Sequence, residues 1–373
     1  MSLYIIGFPG KYIQGAGALE KLYEIIKNKK AVMVADDLVW DLVGRTITEK
    51  AAGVGAEVFR TKFQGETTQK ELDALLAICK EHEISYIIGI GGGKALDTAR
   101  AGMHFTGIPL IIIPTVASTD APVSSLTGLY SEQHEHLCTI RTGRNPNFVI
   151  VDTSIIINAP KMSFVYGMGD ALSTYFEAEA VRLSGKENGH GGRALRMGTA
   201  LCKLCLDTVL EYGRDAVKAL EKKEITPAFE AVLEANILLS GVGFESGGLA
   251  LAHGLHAAMT GDPGFAPAPH GAKVAFCTMV QLILETMNGQ DRRGYIKTLA
   301  AFYEDVGLPY CAADFGPTGS DDDLRERYRR MAEKALNNPN NHIHKMPFPM
   351  TVDMLVDAMM KTSEVKKHGE YQG

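Results

Sequence analysis

The feature that most constrains the fold of this chain is the alternation of short apolar runs with helical segments up to about residue 155. The runs 31–35, 86–90 and 109–114 are mostly apolar and are bounded by charges or turn residues. Stretches with helical periodicity separate them. Strands that alternate with helices form a parallel sheet covered by helices on both faces. The pattern predicts an α/β domain whose ligands lie at the carboxyl ends of its strands.

The pattern changes near residue 160, where the strand-like runs stop. The segment Asn158–Pro160 is typical of a linker, and a length of 373 residues suits two domains. We expect an α/β dinucleotide-binding domain at 1–160, beginning with a strand at Tyr4–Ile6, and an all-helical domain at 161–373. Helices of the second domain are predicted at about 161–183, 190–212, 227–246, 247–260, 271–288, 292–306, 321–337 and 351–365.

Net charge and hydropathy exclude several classes of protein. The net charge of −6 and a pI near 6.0 argue against a nucleic-acid binder, which normally presents a basic face. The chain has no run of about eighteen apolar residues that would predict a membrane span, and no secretory signal is visible. We expect a cytoplasmic protein whose six cysteines are reduced core residues. Three C-terminal histidines are expected at the surface, namely His342, His344 and His368.

A glycine-rich loop follows the apolar run at 86–90. Gly91, Gly92, Gly93 and Lys94 leave backbone N–H groups free at the start of a helix, an arrangement that binds phosphate. The loop matches neither of the two standard phosphate-loop fingerprints. A plain turn is the alternative, although three consecutive glycines exceed what a turn needs. We predict a pyrophosphate site here, with charge from Lys94 and with Asp97 in the first turn of the helix.

Polar residues follow two other predicted strands. Asp36 is placed to accept hydrogen bonds from the ribose of NAD and to repel the 2′-phosphate of NADP. Its alternative role is a helix N-cap, and both roles can hold together. The loop from Thr115 to Pro122 contains Ser118 and Asp120, which suit phosphate and a substrate hydroxyl respectively. An ordinary loop with side-chain turns is the alternative there.

Three histidines lie within eighteen positions of each other in the second half. His253 and His256 share a helix face, and His270 follows a turn. Imidazole suits zinc, iron or nickel, and a carboxylate can complete such a site. Asp170 lies among small and apolar residues. A charged carboxylate in such surroundings is costly unless a cation or strong hydrogen-bond donors lie next to it. Glu177 shares its helical face. The alternatives are ordinary hydrogen-bonded histidines and a solvated Glu177.

Four motifs in register resemble those of one enzyme family. They are Gly91–Asp97, Thr115–Pro122, Gly167–Leu172 and the set from His253 to Gly271. Together they resemble the iron-containing, group III alcohol dehydrogenases, and in particular the glycerol dehydrogenase branch of that family. The resemblance extends from about residue 4 to about residue 365. It implies a dehydroquinate synthase-like fold, with the active site in the cleft between the two domains.

The resemblance also implies roles for individual residues. Members of this branch typically hold zinc with one aspartate and two histidines, which are Asp170, His253 and His270 here; iron or another divalent metal is the alternative. Asp120 matches a substrate-side aspartate, and His256 matches a cleft histidine, so these two are the candidate catalytic residues. The NAD contacts are expected at Asp36, Gly91, Gly92, Gly93, Lys94, Asp97, Thr115, Ser118, Ser124, Leu126 and Tyr130.

The activity that the resemblance implies is hydride transfer from glycerol or a related vicinal diol to NAD, which gives a ketone of the dihydroxyacetone type. The alternatives are a dehydrogenase for 2-hydroxy or 2-oxo carboxylic acids, a cyclase of the dehydroquinate synthase type, and a non-catalytic NAD-binding protein. A homo-oligomer, dimer or octamer, is implied as well. Two departures bear on the substrate, because Ala272 replaces an acidic residue and the loop Asp262–Pro269 is rich in proline.

Overall fold

The structure, a computed structural model, describes residues 3–316 and 318–371. Six strands form a parallel sheet, and two more form a separate antiparallel hairpin. The strands are β1 (Lys11–Gly15), β2 (Lys30–Ala35), β3 (Glu57–Lys62), β4 (Tyr86–Gly91), β5 (Leu110–Pro114), β6 (Leu126–Tyr130), β7 (His136–Arg141) and β8 (Phe148–Asp152). The order in the sheet is β1-β8-β5-β4-β2-β3, and β6 pairs with β7. All carboxyl ends of the sheet strands therefore share one edge.

The alternation of side chains along β2 explains how the sheet joins two apolar cores. Successive residues of a strand face opposite sides. Ala31 and Met33 pack on one face with the helices of the first half. Val32 and Val34 face the other side and belong to a cluster that continues into the helical second half. Continuous apolar packing thus joins that half to one face of the sheet.

Helices cover the sheet and build most of the chain after β8. They are α1 (Glu20–Ile26), α2 (Asp37–Val39), α3 (Arg45–Gly53), α4 (Gln69–His82), α5 (Gly93–Thr106), α6 (Thr153–Ile156), α7 (Lys161–Ala171), α8 (Ser173–Ser184), α9 (Arg196–Lys222), α10 (Pro227–Glu234), α11 (Ser240–Gly247), α12 (Leu251–Met259), α13 (His270–Met287), α14 (Arg293–Val306), α15 (Asp321–Asn337) and α16 (Val352–His368). Two π-helical segments, Trp40–Gly44 and Ala235–Leu239, connect α2 to α3 and α10 to α11. The predicted fold class, an α/β domain followed by helices, is confirmed.

The helix predicted at 161–183 is interrupted at Leu172, between α7 and α8. Ser173 Oγ donates a hydrogen bond to the Asp170 carbonyl at 2.8 Å, and Thr174 Oγ1 donates to the Ala171 carbonyl at 2.5 Å. Hydroxyls that bond the preceding carbonyls compete with the helical hydrogen bonds. The interruption places Asp170 in the last turn of α7, where its side chain faces other helices.

The helix predicted at 227–246 is present but carries a π segment in its middle. Within that segment, Asn236 Nδ2 donates to the carbonyl of Phe164 at 3.1 Å. The stretch Pro227–Gly247 is long and apolar enough to cross a membrane. An 18-residue window within it has a mean hydropathy of 1.2, but 67% of that window is buried inside the fold. Its apolar surface is therefore used for packing against its neighbours. The extra residue of a π segment often marks a functional site.

The prediction of a first strand at Tyr4–Ile6 is wrong. Tyr4 forms only an isolated bridge with Arg193, and the first strand is β1. Strand β1 lies at the edge of the sheet and is only partly buried, so its sequence does not need an apolar run. The domain boundary at residue 160 stays a prediction; β8 ends at Asp152 and α7 begins at Lys161.

Candidate metal centre and cofactor cleft

Three side chains from separate helices converge on one point. Asp170 comes from α7, His253 from α12 and His270 from the first position of α13, and their ligand atoms all lie within 4.8 Å of one another. The Nε2 atoms of His270 and His253 are 3.0 Å and 3.3 Å from Asp170 Oδ1. Asp170 is buried, and the histidines are half-buried. The three predicted metal ligands are thus adjacent in space.

Glycines allow the close approach that this arrangement needs. A Cβ on Gly169 would lie 2.6 Å from the Gly271 carbonyl oxygen, and a Cβ on Gly271 would collide with the Tyr166 carbonyl. Helix α7 therefore meets α13 almost backbone to backbone, beside the two ligands Asp170 and His270. Such an approach is possible only where no side chain intervenes.

Glu177 of α8 lies behind His253. Its Oε2 is 2.6 Å from His253 Nδ1, and its Oε1 accepts from the backbone N–H groups of Ala250 and His253 at 2.8 Å and 2.9 Å. Glu177 is fully buried. It is therefore not a solvated carboxylate but a buried hydrogen-bond partner of His253.

The charges of the cluster shift one another's pKa values. Burial by itself raises the pKa of Asp170, but His270 and His253 outweigh it and lower that pKa. Burial by itself lowers the pKa of His253, and the carboxylates of Glu177 and Asp170 raise it above its usual range. A bound cation would compensate the charges of the two carboxylates, Asp170 and Glu177, that lie next to the two imidazoles.

The two candidate catalytic residues border this cluster in different ways. The backbone N–H of Asp120 donates to Asp170 Oδ2 at 3.3 Å, and Ser240 Oγ donates to Asp120 Oδ2 at 2.7 Å. The ring of His256 lies 4.3 Å from that of His270, between centroids. Burial and then the charge of His270 lower the pKa of His256, so its imidazole stays neutral at pH 7.

A cavity of about 350 Å³ connects this cluster to the glycine-rich loop. Its wall includes parts of both halves of the chain, which is where ligands of α/β proteins bind. The lining residues are Gly93, Lys94, Asp97, Thr119, Asp120, Ala121, Ser124, Leu126, Thr127, Gly128, Thr139, Phe244, Leu249, His253 and His270. Two of the three predicted metal ligands and five of the predicted cofactor residues therefore face one space.

The glycine-rich loop joins β4 to α5 in the way the sequence predicts. Gly91 has φ of +133°, a backbone conformation that favours glycine. Gly92 is the N-cap of α5, and no side chain caps that end. The first N–H groups of α5 are thus available to an anion. Lys94 Nζ binds Glu66 Oε2 at 2.8 Å, so its charge is already paired in this structure.

Asp97, the fifth residue of α5, forms an ion pair with the fully buried Arg100. Arg100 also donates to the carbonyls of Ala121 and Leu126, at 2.5 Å and 3.0 Å. Burial raises the pKa of Asp97 to about 6 against the opposing charge of Arg100. Asp97 thus lines the cavity and, through Arg100, fixes the loop that carries Ser124.

A second cavity of about 370 Å³ lies on the side of Thr115 and the start of α2. Thr115 lines it with Leu38, Val39 and Val116, and its walls are mainly apolar. Asp36 caps α2 by accepting from the Val39 N–H at 2.7 Å. The N-cap role of Asp36 is therefore present, and one carboxylate oxygen of Asp36 accepts that bond.

The remaining predicted cofactor residues lie beside these cavities. Ser124 Oγ donates to the Leu126 carbonyl at 3.2 Å. The ring of Tyr130 lies against Gly128 and pairs with the ring of His136, with centroids 5.4 Å apart. Five predicted positions are not part of the two cavity walls as defined by the described residues: Asp36, Gly91, Gly92, Ser118 and Tyr130.

Known proteins resemble the chain over its whole length. Residues 9–153 match the iron-containing alcohol dehydrogenase family model. A glycerol dehydrogenase of Escherichia coli is 42% identical over 358 residues, which is 95% of each chain. The chain belongs to the iron-containing alcohol dehydrogenase family.

Two further members of the family extend this comparison. A glycolaldehyde reductase of Halobacterium salinarum is 37% identical and matches over 96% of both chains. The crystal structure of glycerol dehydrogenase from Schizosaccharomyces pombe superposes with a TM-score of 0.92 at 34% identity, covering 99% of this chain and 92% of that one. The predicted resemblance and the prediction of an alcohol dehydrogenase are confirmed.

Several residues of the site in this family member were not predicted from the sequence. Phe244 and Leu249 line the cavity next to His253. Glu245 is buried and accepts from the Ser125 N–H at 2.5 Å and from Asn145 Nδ2 at 2.6 Å, which ties α11 to the loop before β6. Phe244 and Glu245 lie in an apolar helix, where only the tertiary structure shows which face lines the cavity. The one sequence signal that could have indicated Glu245 is the presence of a glutamate within such an apolar helix.

Proposed function

We propose that this protein is a zinc- and NAD-dependent dehydrogenase that oxidises glycerol or a related vicinal diol. The observation that carries the proposal is the convergence of Asp170 with His253 and His270, two histidines that line a cavity also bordered by the start of α5. The relatives named glycerol dehydrogenase support the substrate class.

The donor set fits a divalent metal. One carboxylate and two imidazoles are ligands that zinc and iron both accept, and three protein ligands leave a position open for substrate. The hydrogen bond of His253 Nδ1 to Glu177 leaves Nε2 directed at Asp170. Zinc held here supplies a Lewis acid that lowers the pKa of a substrate hydroxyl.

The first half of the chain provides the cofactor site in this proposal. The free N–H groups at the start of α5 bind the pyrophosphate, and Gly91 and Gly92 let it approach the backbone. Asp36 accepts from a ribose hydroxyl with the carboxylate oxygen that does not cap α2. Ser124 and Leu126 lie on the cavity wall nearer to the histidines and border the nicotinamide.

One residue orients the substrate in this proposal, and a second accepts its proton. Asp120 lies on the cavity wall next to Asp170 and orients the diol by accepting a hydrogen bond. The neutral imidazole of His256 accepts the hydroxyl proton, directly or through water, because burial favours its uncharged form. Phe244 and Leu249 on the cavity wall would keep water away from the substrate and the nicotinamide.

The charge of the cavity argues against a carboxylic acid as substrate. Its acidic wall residues are Asp97 and Asp120, and its one lysine, Lys94, is paired with Glu66. An anionic substrate would find no free cation among these residues, apart from a metal. A neutral diol needs only the hydrogen-bond acceptors that are present. Assembly as a dimer or octamer, and a cytoplasmic location, remain predictions.

The test is NAD reduction by the purified protein with glycerol, 1,2-propanediol and 2-hydroxybutyrate, before and after chelation and with zinc restored. We expect activity on the diols that disappears on chelation and returns with zinc. Activity on the hydroxy acid alone would agree with the proposed metal centre but would contradict the proposal that the substrate is a diol. Full activity after complete removal of metal would overturn the metal centre itself.

A further inference from the structure

The contacts of Glu177 assign it a role in placing a metal ligand. All its contacts run to one end of α12 and to the helix that carries it. They are His253 Nδ1 at 2.6 Å, the Ala250 N–H at 2.8 Å, the His253 N–H at 2.9 Å and Ser173 Oγ at 3.3 Å. The side chain is completely buried. A buried carboxylate that accepts from two backbone N–H groups and an imidazole is fixed in position.

The start of α12 depends on this carboxylate. Helix α12 begins at Leu251, and its N-cap residue, Ala250, has no side chain that can accept a hydrogen bond. The first N–H groups of a helix need partners from elsewhere. Glu177 supplies an acceptor from α8, so it caps α12 from outside and fixes the helix end that carries His253.

The same carboxylate also selects the proton position on His253. A carboxylate only accepts, so His253 Nδ1 must donate to it, and Nε2 is then the nitrogen that gives up its proton and offers a lone pair when a metal binds. Nε2 is the atom that faces Asp170 at 3.3 Å. We propose that Glu177 is a positioning residue that holds His253 in the form and direction needed to bind a metal; this rests on the metal centre proposed above.

The matching variant is Glu177→Gln, which keeps the size of the side chain but changes one oxygen to an NH₂ group. The amide oxygen still caps Ala250 and His253. The NH₂ group faces Nδ1 and makes it the acceptor, so the proton that the ring retains lies on Nε2, where it donates to Asp170 Oδ1 and opposes metal binding at that atom. The metal-free protein therefore keeps all its hydrogen bonds, and only metal binding is penalised.

The experiment measures zinc affinity by competition with a chelator, together with the melting temperature of the metal-free protein. For Glu177→Gln we expect zinc to bind about 10- to 100-fold more weakly, with the melting temperature of the metal-free form almost unchanged. In the cobalt-substituted protein, the visible spectrum of the variant should differ from that of the wild type, since the ligand geometry changes.

Glu285→Gln is the matched control. Glu285 of α13 is also fully buried, but its side-chain hydrogen-bond partners among the described residues are Arg292 Nε at 2.7 Å and Gln281 Nε2 at 2.9 Å, and neither is a histidine. This variant should lower the melting temperature and leave zinc affinity within a factor of about two. Equal losses of zinc affinity in both variants would show a general effect of buried charge and would overturn the role of Glu177.

Glu177→Asp serves if the amide variant does not fold, because it keeps the charge and withdraws the carboxylate from Nδ1 by one methylene. Weaker zinc binding by the folded metal-free protein supports the proposal. Wild-type zinc affinity in either folded variant, with a wild type that binds zinc, overturns the role of Glu177 alone. A wild type that binds no zinc overturns the metal centre, and with it this inference.

Discussion

The two sides of the cleft offer different kinds of groups to a ligand. On the sheet side, the site is made of backbone, with Gly91, Gly92 and the free N–H groups of α5. On the helical side it is made of side chains, and Asp170, His253 and His270 come from three helices. A site made of backbone depends on the absence of a Cβ. A site made of side chains depends on the chemical identity and the orientation of each side chain. The two sides should therefore fail in different ways on mutation.

The largest effect is expected on the helical side. Asp170→Asn keeps the size of the side chain but removes the charge that both histidines face at 3.0 Å and 3.3 Å. We expect loss of bound zinc and a fall in kcat/KM of about a thousandfold or more, because a metal centre that orients and activates the hydroxyl is lost. Metal analysis with steady-state kinetics measures both. A variant with full zinc content and full activity would contradict the side-chain site.

The next effect is expected on the sheet side, from Gly91→Ala. A Cβ there meets only ordinary contacts, with Ala95 at 3.5 Å and Val39 at 3.6 Å, so the cost lies in the φ of +133°. Backbone strain of this kind costs about 1–3 kcal/mol. We expect the dissociation constant of NAD to rise about 5- to 100-fold, with zinc content unchanged, as measured by calorimetry.

The matched control is Gly53→Ala. Gly53 ends α3, has an ordinary φ and leaves open space, with no heavy atom within 4 Å, where the alanine Cβ would lie. The affinity for NAD should therefore not change in this variant. If Gly91→Ala bound NAD as well as the wild type, the backbone of this loop would not be the phosphate site.

A smaller effect is expected at Asp36, where a side chain rather than the backbone acts on the sheet side. Asp36→Asn keeps the N-cap of α2, since asparagine caps as well as aspartate, and removes only the charge. The preference for NAD over NADP should fall about tenfold, because repulsion of the 2′-phosphate is lost. The ratio of kcat/KM values for the two cofactors measures this. An unchanged ratio would leave Asp36 as a helix cap only.

The last effect concerns the stability of the helical side rather than the binding of a ligand. Burial lowers the pKa of His342 to about 4 from its usual 6.5. The folded protein then binds fewer protons than the unfolded chain, so this contribution to stability is complete above pH 6.5 and is lost as the pH falls towards 4. The full difference is roughly 3 kcal/mol, and the partial exposure of the ring reduces it.

His342→Phe should therefore flatten the dependence of stability on pH in this window, as followed by the urea midpoint from pH 7 to pH 4. His344→Phe, at an exposed neighbouring position, should leave the dependence as it is in the wild type. If the urea midpoint of His342→Phe fell between pH 6.5 and pH 4 as steeply as that of the wild type, groups other than His342 would cause the pH dependence.

The burial of His342 also marks one limit of prediction from sequence. The sequence predicted a surface position, but the structure places the ring half-buried, with Nδ1 inaccessible and without a hydrogen-bond partner among the described residues. It lies in a short 3-10 turn, His342–Lys345, that packs on α12. Nothing in the local sequence of a loop tells which side of it meets a helix.

The sequence by itself determined the fold class, the glycine-rich loop and the set of candidate ligands. These depend on local properties: apolar runs that make strands, the freedom of glycine at positive φ, and the chemistry of aspartate and histidine. Residues 91–94 form their site within four consecutive positions, so it can be predicted without knowing the rest of the fold.

Only the tertiary structure decided which distant groups act together. The edge strand β1, the break at Leu172 and the contact of Glu177 with His253 each depend on partners far away in the chain. An edge strand is defined by its neighbour β8, and a buried carboxylate is defined by the donors that surround it. Asp170 and His270 are one hundred positions apart in the sequence and 3.0 Å apart in space, because packing of helices, not local sequence, sets that distance.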